Sequence, residues 1–187
     1  MTKMYYEHIK FNSAKRLLQI SNEKGVEVLS GSLAITMNIP KAYACEHKEN
    51  VSEECWEYSK TAKLHMSLDD KWQGNAGQEQ SNARCYNFRW ESLHENFNPI
   101  DCFSIGTERG KWFGGGLTHN TSWQLEHAKF NFTPFITGDI RFDQWGNAMR
   151  RYFINTLGVA IEVDDKSPLY VSMNGSVRGN ILMLFLK

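Results

Sequence analysis

The sequence predicts an all-β protein, an antiparallel β-sandwich, and three observations predict it. Several short apolar runs show the two-residue alternation of half-buried strands. Turn-forming residues separate these runs. Hydrophobic residues make up 41% of the 187 residues and aromatic residues 13%, which is enough to fill the core of about one domain. We therefore expect residues 1–187 to form a single β-sandwich domain.

The first half of the chain predicts a hairpin followed by a long polar stretch. Arg16–Ser21 and Val26–Leu29 are strand-like runs separated by an Asn-Glu-Lys-Gly turn. Leu33–Met37 extends this meander in the prediction. Pro40–Asn82 is polar and rich in loops, with one alternating strand at Leu64–Leu68.

The second half predicts five more strand regions. Cys85–Leu93 alternates most sharply, because its aromatic and polar side chains point to opposite faces. Lys111–Phe113 is expected to end at Gly114–Gly116, read as a strand-terminating loop. Phe142–Leu157 has apolar residues at helical spacing, but β-branched and aromatic residues from Tyr152 onward favour a strand or bent hairpin. The last two strands are expected at Pro168–Met173 and Ile181–Leu186.

Charge and composition exclude several classes of partner. Lys+Arg and Asp+Glu both number 21, so the basic surface of a protein that binds nucleic acid or anionic membranes is missing. The longest apolar run, Ile181–Leu186, is far shorter than the roughly 20 residues that cross a bilayer. No nucleotide-binding glycine motif and no metal-ligand spacing occurs, so we expect no cofactor and no metal.

Four cysteines form two local groups, and they allow three pairings. The local pairing joins Cys45 to Cys55 and Cys85 to Cys102, and each bond would close a short loop. Four thiols in a reducing compartment are the alternative. We expect the two local disulfides.

Four N-glycosylation sequons favour an oxidising, glycosylating compartment. They begin at Asn50, Asn120, Asn131 and Asn174. Together with paired cysteines they predict the secretory-pathway lumen or the cell exterior. A membrane anchor elsewhere in a full-length protein is compatible with this prediction.

An ordered series of motifs resembles the N-terminal domain of glycoside hydrolase family 31, most closely its myogenesis-regulating glycosidase branch. The motifs are Trp-Phe-Gly-Gly at 112–115, Trp-Gln-Leu-Glu at 123–126 and Pro-Phe-Ile-Thr-Gly-Asp at 134–139. Further agreement comes from Cys-Tyr-Asn-Phe-Arg-Trp at 85–90 and Arg-Tyr-Phe at 151–153.

The resemblance implies an antiparallel β-sandwich that packs on a (β/α)₈ catalytic barrel and lends a loop to the rim of its active site. The family's two catalytic carboxylates lie on barrel strands, and its Trp-x-Asp-Met-Asn-Glu type motif is absent here. We therefore expect no catalytic residue in this chain. Because Lys187 follows a strong strand directly, we also expect the chain to be truncated before such a barrel.

Two functions follow as expectations. In the first, the chain is the N-terminal domain or a fragment of a family 31 glycosidase-like protein, which supports its own barrel and shapes substrate access without catalysing hydrolysis. In the second, it is a stand-alone carbohydrate-binding or interaction module. Whether the full-length protein is an enzyme, and which sugar it recognises, are left open.

Aromatic side chains are the candidate binding residues, because sugar rings stack on Trp and Tyr. Trp112 and Trp123 flank the glycine loop and are the candidate substrate-binding residues, with core or interdomain packing as the alternative. An exposed apolar patch, which the barrel would cover, is expected around Trp112, Phe113, Trp123, Phe130 and Phe132.

Overall fold

Short antiparallel strands joined by turns make up the structure. The computed structural model describes residues 8–37, 41–46, 53–69, 84–106, 108, 110–118, 124–139, 145–174 and 181–186. Within these ranges lie fourteen strands and a 3₁₀ turn at Leu125–His127. The strands are β1 Ile9–Asn12, β2 Leu17–Ser21, β3 Glu27–Ser32, β4 Ala42–Ala44, β5 Glu53–Tyr58, β6 Ala62–Leu68, β7 Tyr86–Ser92, β8 Ile100–Ser104, β9 Trp112–Thr118, β10 Phe130–Pro134, β11 Trp145–Asn155, β12 Ala160–Glu162, β13 Leu169–Met173 and β14 Ile181–Leu186.

The chain folds as two compact units. The larger unit consists of Tyr5–Met37 and Asn98–Lys187, and the smaller unit includes Asn38–Phe97. The prediction of one domain over residues 1–187 stays a prediction, because one domain can contain two compact units. The predicted all-β class with antiparallel sheets is confirmed.

The larger unit has the two layers of a sandwich. A seven-stranded sheet runs in the order β1-β2-β3-β8-β14-β13-β10, and a three-stranded sheet in the order β12-β11-β9. Phe130 of β10 meets Trp145 of β11 edge-on, with ring centroids 5.4 Å apart. The Asn155 side chain of β11 donates a hydrogen bond to the Val28 carbonyl of β3. These contacts join the two layers.

The core between the layers follows from the alternation of the central strands. On the inner face of the seven-stranded sheet, Val171 is opposite Leu184, and Leu182 is opposite Phe103. All four side chains are buried. Facing side chains of the three-stranded sheet include Trp145 and Phe153, both fully buried. Burial of such side chains stabilises the fold by about 1.5–3 kcal/mol each, relative to leaving them exposed.

The smaller unit is a four-stranded meander in the order β4-β5-β6-β7. One face is apolar, with Tyr58, Leu64 and Met66 buried. The opposite face carries charged side chains and His65 of β6, which is the register partner of Cys55 in β5.

Most predicted strands are confirmed, and two predictions are wrong. The hairpin of β2 and β3 and the strands β6, β7, β13 and β14 lie where the alternation predicts them. The stretch from Phe142 contains a strand, β11, as expected. Leu33–Met37 is a turn and not a strand, since Ala34 has positive φ and its N–H donates to the Asp101 carboxylate. The polar stretch after Pro40 contains the unpredicted strands β4 and β5: β4 is only three residues long, and β5 carries three glutamates, so neither shows a clear apolar alternation.

Candidate functional site

The three consecutive glycines lie inside a strand and do not terminate it. Gly114, Gly115 and Gly116 occupy the middle of β9, all with positive φ, and pair with β11. A Cβ atom on Gly114 would collide with the Tyr152 carbonyl oxygen, and one on Gly116 with that of Ala148. Because they lack side chains, the glycines let β9 lie close against β11. The prediction that they form a strand-terminating loop is therefore wrong.

Behind the glycines lies an aromatic cluster. A Cβ on Gly115 would meet Phe153 at 2.9 Å and Trp145 at 3.3 Å. Phe135 completes the cluster, with its ring centroid 4.6 Å from that of Trp145. The glycine segment, Gly114–Gly116, thus packs directly against this aromatic cluster with no side chains of its own between them.

Trp112 belongs to this core and is not available to stack on a sugar. Its exposure is 0%, and its indole Nε1 has no hydrogen-bond partner among the described residues. The predicted substrate-binding role of Trp112 is therefore wrong for this structure, and the alternative of core packing holds. Trp123, the other candidate, lies outside the described residues.

A buried carboxylate that sequence reasoning assigned no role fixes the start of β9. Glu126, only 5% exposed, accepts a hydrogen bond from the Trp112 backbone N–H at 3.2 Å. Asn174 donates through its side-chain amide to the carbonyls of Glu126 and Ala128. These bonds tie the 3₁₀ turn to both layers. The signal in the sequence was the acidic residue at the end of the Trp-Gln-Leu-Glu motif.

A cleft opens beside the cluster in the larger unit, with a volume of about 560 Å³. Its lining includes the apolar side chains of Phe135, Met149 and Val163 together with charged side chains of both signs. Arg151 donates to the carbonyls of Asp164 and Ser167, which fixes the turn after β12. The remaining lining residues are Thr137, Arg150, Glu162 and Asp165.

Retaining glycosidases need two carboxyl groups about 5–5.5 Å apart across a sugar. Glu53 and Glu91 are two carboxylates that approach each other in the smaller unit, but the imidazole of His65 lies between them. Its Nδ1 is 2.9 Å from the Glu53 carboxylate and its Nε2 is 2.9 Å from that of Glu91. Both carboxylates are thus engaged by one ring, which leaves no gap for a sugar.

The adjacent acidic residues Asp164 and Asp165 lie in the turn after β12. The Asp164 carboxylate accepts from the Lys166 backbone N–H, and Asp165 is exposed. The described residues contain no group of three His, Cys, Asp or Glu side chains suited to a metal ion. Within the same ranges, no helix has the length and apolar character of a membrane-spanning segment.

One of the two predicted disulfides is present. Cys45 and Cys55 are bonded and join β5 to the segment after β4. Cys85 and Cys102 are not disulfide-bonded, which corrects the predicted second bond. Their strands have different neighbours: Cys85 precedes β7 in the smaller unit, and Cys102 lies in β8 opposite Met183.

The thiol of Cys102 is held in its protonated form. Burial, and to a smaller extent the neighbouring Asp101 carboxylate, raises the pKa of the Cys102 thiol above its ordinary value. A thiol with a raised pKa is a poor nucleophile near neutral pH. Cys102 therefore has the environment of a structural cysteine.

Two of the four sequons can be placed. Asn131 is exposed on β10, whereas Asn174 is half-buried. Asn50 and Asn120 lie outside the described residues, so their glycosylation stays a prediction.

Comparisons with known proteins identify relatives of this chain. No family model matches it. The SITS-binding protein of Tetronarce californica is 30% identical over 126 residues, which cover 66% of this chain and 17% of that protein. The myogenesis-regulating glycosidase of Mus musculus is 25% identical over 97 residues, covering 50% of this chain and 14% of that protein. The chain thus spans less than a fifth of the length of either relative.

A solved structure shares the fold. A GH31 family sulfoquinovosidase from E. rectale, in complex with an aza-sugar inhibitor, superposes with a TM-score of 0.53 and 10% identity. The match covers 95% of this chain and 30% of that enzyme. Sequence relatives and shared fold together confirm the resemblance: the chain is related to the N-terminal domain of glycoside hydrolase family 31 proteins.

Proposed function

We propose that this chain acts as the non-catalytic N-terminal β-domain of a family 31 glycosidase-like protein, supporting its (β/α)₈ barrel and shaping substrate access. The observation that carries the proposal is the match to a small part of much longer relatives, one of them named a glycosidase. The fold of the chain also covers less than a third of a solved glycosidase.

The outer face of the three-stranded sheet is the surface we assign to the barrel. Ile154 of β11 is paired with Phe113 of β9, so both side chains share this face, and Ile154 is 40% exposed. Two further exposed apolar side chains are Leu117 of β9 and Leu157, which lies just beyond β11. Contacts between domains of one chain bury roughly 600–1,500 Å², with large apolar side chains as anchors.

This surface differs from the patch that the sequence predicted. Phe113 belongs to both, but Trp112 is buried in the core and Phe130 packs on Trp145. Phe132 is exposed on β10, in the other sheet. Trp123 lies outside the described residues.

Activity assays test the absence of catalysis. The purified chain, given aryl α-glycosides, should release no aryl alcohol above the uncatalysed rate, because hydrolysis needs a matched pair of catalytic carboxylates and the family's Trp-x-Asp-Met-Asn-Glu type motif is absent from the sequence. Saturable turnover that disappears on substituting one of the chain's own carboxylates would contradict the proposal.

Dye binding tests the docking surface. The isolated chain should bind a hydrophobic dye, and Ile154→Thr should lower that binding because it removes exposed apolar area. Val26→Thr is the matched control, since Val26 is exposed in the hairpin turn away from this face. Equal dye binding by both variants would remove Ile154 from the proposed interface.

A stand-alone carbohydrate-binding module is the second candidate, and the cleft favours it. A lining that combines apolar side chains with hydrogen-bond donors and acceptors suits a polyhydroxylated ligand. Calorimetric titration with oligosaccharides would then give saturable binding that Arg150→Ala weakens and Lys10→Ala leaves unchanged. No binding to any tested oligosaccharide would leave the supporting role as the sole candidate.

The compartment belongs to the proposal as well. The Cys45–Cys55 disulfide is of the kind that persists in oxidising surroundings. We place the chain in the secretory-pathway lumen or outside the cell, and a longer protein that contains it is free to carry a membrane anchor.

A further inference from the structure

Strand β10 has one edge that pairs with no other strand in the part of the chain that the structure describes. This strand stands last in the strand order and pairs with β13. Its register shifts between Phe130 and Thr133, so the two residues between them have no Cα partner in the ladder. An open strand edge can pair with another chain, and natural proteins usually block such edges.

A sequon lies on this edge in an accessible conformation. Asn131 and Phe132 are exposed, the latter by 38%. The Thr133 hydroxyl donates to the Asn131 carbonyl at 3.0 Å, which holds the three residues of the sequon together. Asn131 is therefore exposed to solvent at the irregular part of the β10–β13 ladder.

Asn174 has the opposite environment. Its side-chain Nδ2 donates to the carbonyl oxygens of Glu126 at 3.0 Å and Ala128 at 2.8 Å. A glycan replaces one of the two N–H bonds of that nitrogen, so one carbonyl would lose its donor. Glu126 is buried, and little space remains for a sugar beside it. Glycosylation here would keep the 3₁₀ turn from docking.

We propose that Asn131, and not Asn174, carries an N-linked glycan, and that this glycan covers the open edge of β10. In the reaction, Nδ2 of Asn131 loses a proton and forms a bond to C1 of the transferred sugar, and the bond from C1 to the diphosphate of a lipid-linked oligosaccharide donor breaks. The inference rests on the proposed lumenal location.

Expression behind a signal peptide tests which asparagine is glycosylated independently of where the protein naturally resides. The full chain is expressed behind a cleavable signal peptide in cultured eukaryotic cells, with Asn50→Gln and Asn120→Gln to remove the other two sequons. Enzymatic deglycosylation converts a modified asparagine to aspartate, which peptide mass spectrometry locates. The expected result is modification of Asn131 alone, lost equally in Asn131→Gln and Thr133→Ala.

A positive control shows that the chain reaches the glycosylation machinery. Ala14→Thr creates an acceptor at Asn12, which is exposed at the end of β1. With Asn12 modified, an unmodified Asn131 or a glycan on Asn174 would overturn the inference. Because the signal peptide dictates the compartment, either result leaves the proposed function unaffected.

Association state tests the covering role. Asn131→Gln should shift the secreted chain from monomer to larger species in light-scattering chromatography. Phe132→Lys in that background should restore the monomer, because a charge on an edge strand opposes pairing. A monomeric Asn131→Gln chain would contradict the covering role, and Ile154→Thr serves as the control for association through the other apolar face.

Discussion

Two glycines of β9 are set against backbone atoms of the neighbouring strand, which makes them far less replaceable than glycines in open turns. Gly114 has positive φ and would place a Cβ against the Tyr152 carbonyl oxygen. Gly158 also has positive φ, but a Cβ there would have no atom within 4 Å. Comparing Gly114 with Gly158 therefore separates two contributions to the loss of stability: the strain of a positive φ and the collision of the added Cβ with the neighbouring strand.

We expect Gly114→Ala to lower the free energy of unfolding by at least about 2 kcal/mol more than Gly158→Ala. Gly158→Ala should cost about 1–2 kcal/mol, because only the left-handed conformation is strained. Urea unfolding of both variants measures the difference. Equal losses would mean that β9 and β11 separate easily to admit the methyl group.

The protonated thiol of Cys102 gives a prediction about reactivity and pH. Because its pKa is raised, the thiolate fraction at any given pH is lower than in the unfolded chain. Alkylation of Cys102 in the folded protein should therefore be slow near neutral pH and reach its half-maximal rate at a higher pH than in urea-unfolded protein.

Asp101→Asn should lower the pH at which alkylation of Cys102 reaches its half-maximal rate, because it removes the Asp101 charge, the smaller of the two causes of the raised pKa. Peptide mass spectrometry gives the alkylation rate of each cysteine. The same half-maximal pH in folded and unfolded protein would contradict a raised pKa of the Cys102 thiol. Asp101 also accepts from the Ala34 N–H, so unfolding midpoints must be compared to confirm that the variant remains folded.

At the residue scale, the sequence identified residues that are important in the structure but assigned some of them the wrong role. The glycine run and Trp112 were both singled out, but positive φ inside a strand and burial of the indole depend on β11, which is distant in sequence. Glu126 was missed as a buried hydrogen-bond acceptor because no local pattern distinguishes a buried carboxylate from a solvated one.

At the element scale, alternation predicted strands with one buried face and missed those whose two faces are both partly polar. β6 alternates between buried and half-buried side chains, and it was predicted. β5 carries three glutamates in six residues, and it was missed. Its place in the sheet comes from pairing with β6 and from its disulfide to Cys45, neither of which leaves a periodic signal.

The disulfide gives the prediction at this scale. Replacing Cys45 and Cys55 by Ala should lower the free energy of unfolding by about 3 kcal/mol, because the bond closes a short loop in the unfolded chain. Reductant should destabilise the parent protein to a similar extent and have no further effect on this double variant.

Cys85→Ala with Cys102→Ala is the matched control, and its unfolding midpoint should keep the sensitivity to reductant. Loss of that sensitivity in the control would assign the stabilising disulfide to Cys85 and Cys102 instead. Urea unfolding with and without dithiothreitol distinguishes the two results.

At the scale of the whole molecule, the sequence predicted the all-β class and the family resemblance, and it did not predict the order of the strands. Short runs between turns are enough for an antiparallel class. The neighbours of β8, which are β3 on one side and β14 on the other, are set by contacts between distant segments. Such non-local pairing has no counterpart in the local pattern that identifies a strand.

The position of β14 has a consequence for how the chain emerges during synthesis. β14 follows all the other described strands in sequence, yet it lies inside the seven-stranded sheet between β8 and β13. Until the ribosome has released it, β8 and β13 each present an unpaired edge with buried-type apolar side chains. Sheets dominated by such distant pairings fold slowly. Growing chains with exposed strand edges are prone to aggregation, so a nascent chain of this topology needs protection until β14 has been made.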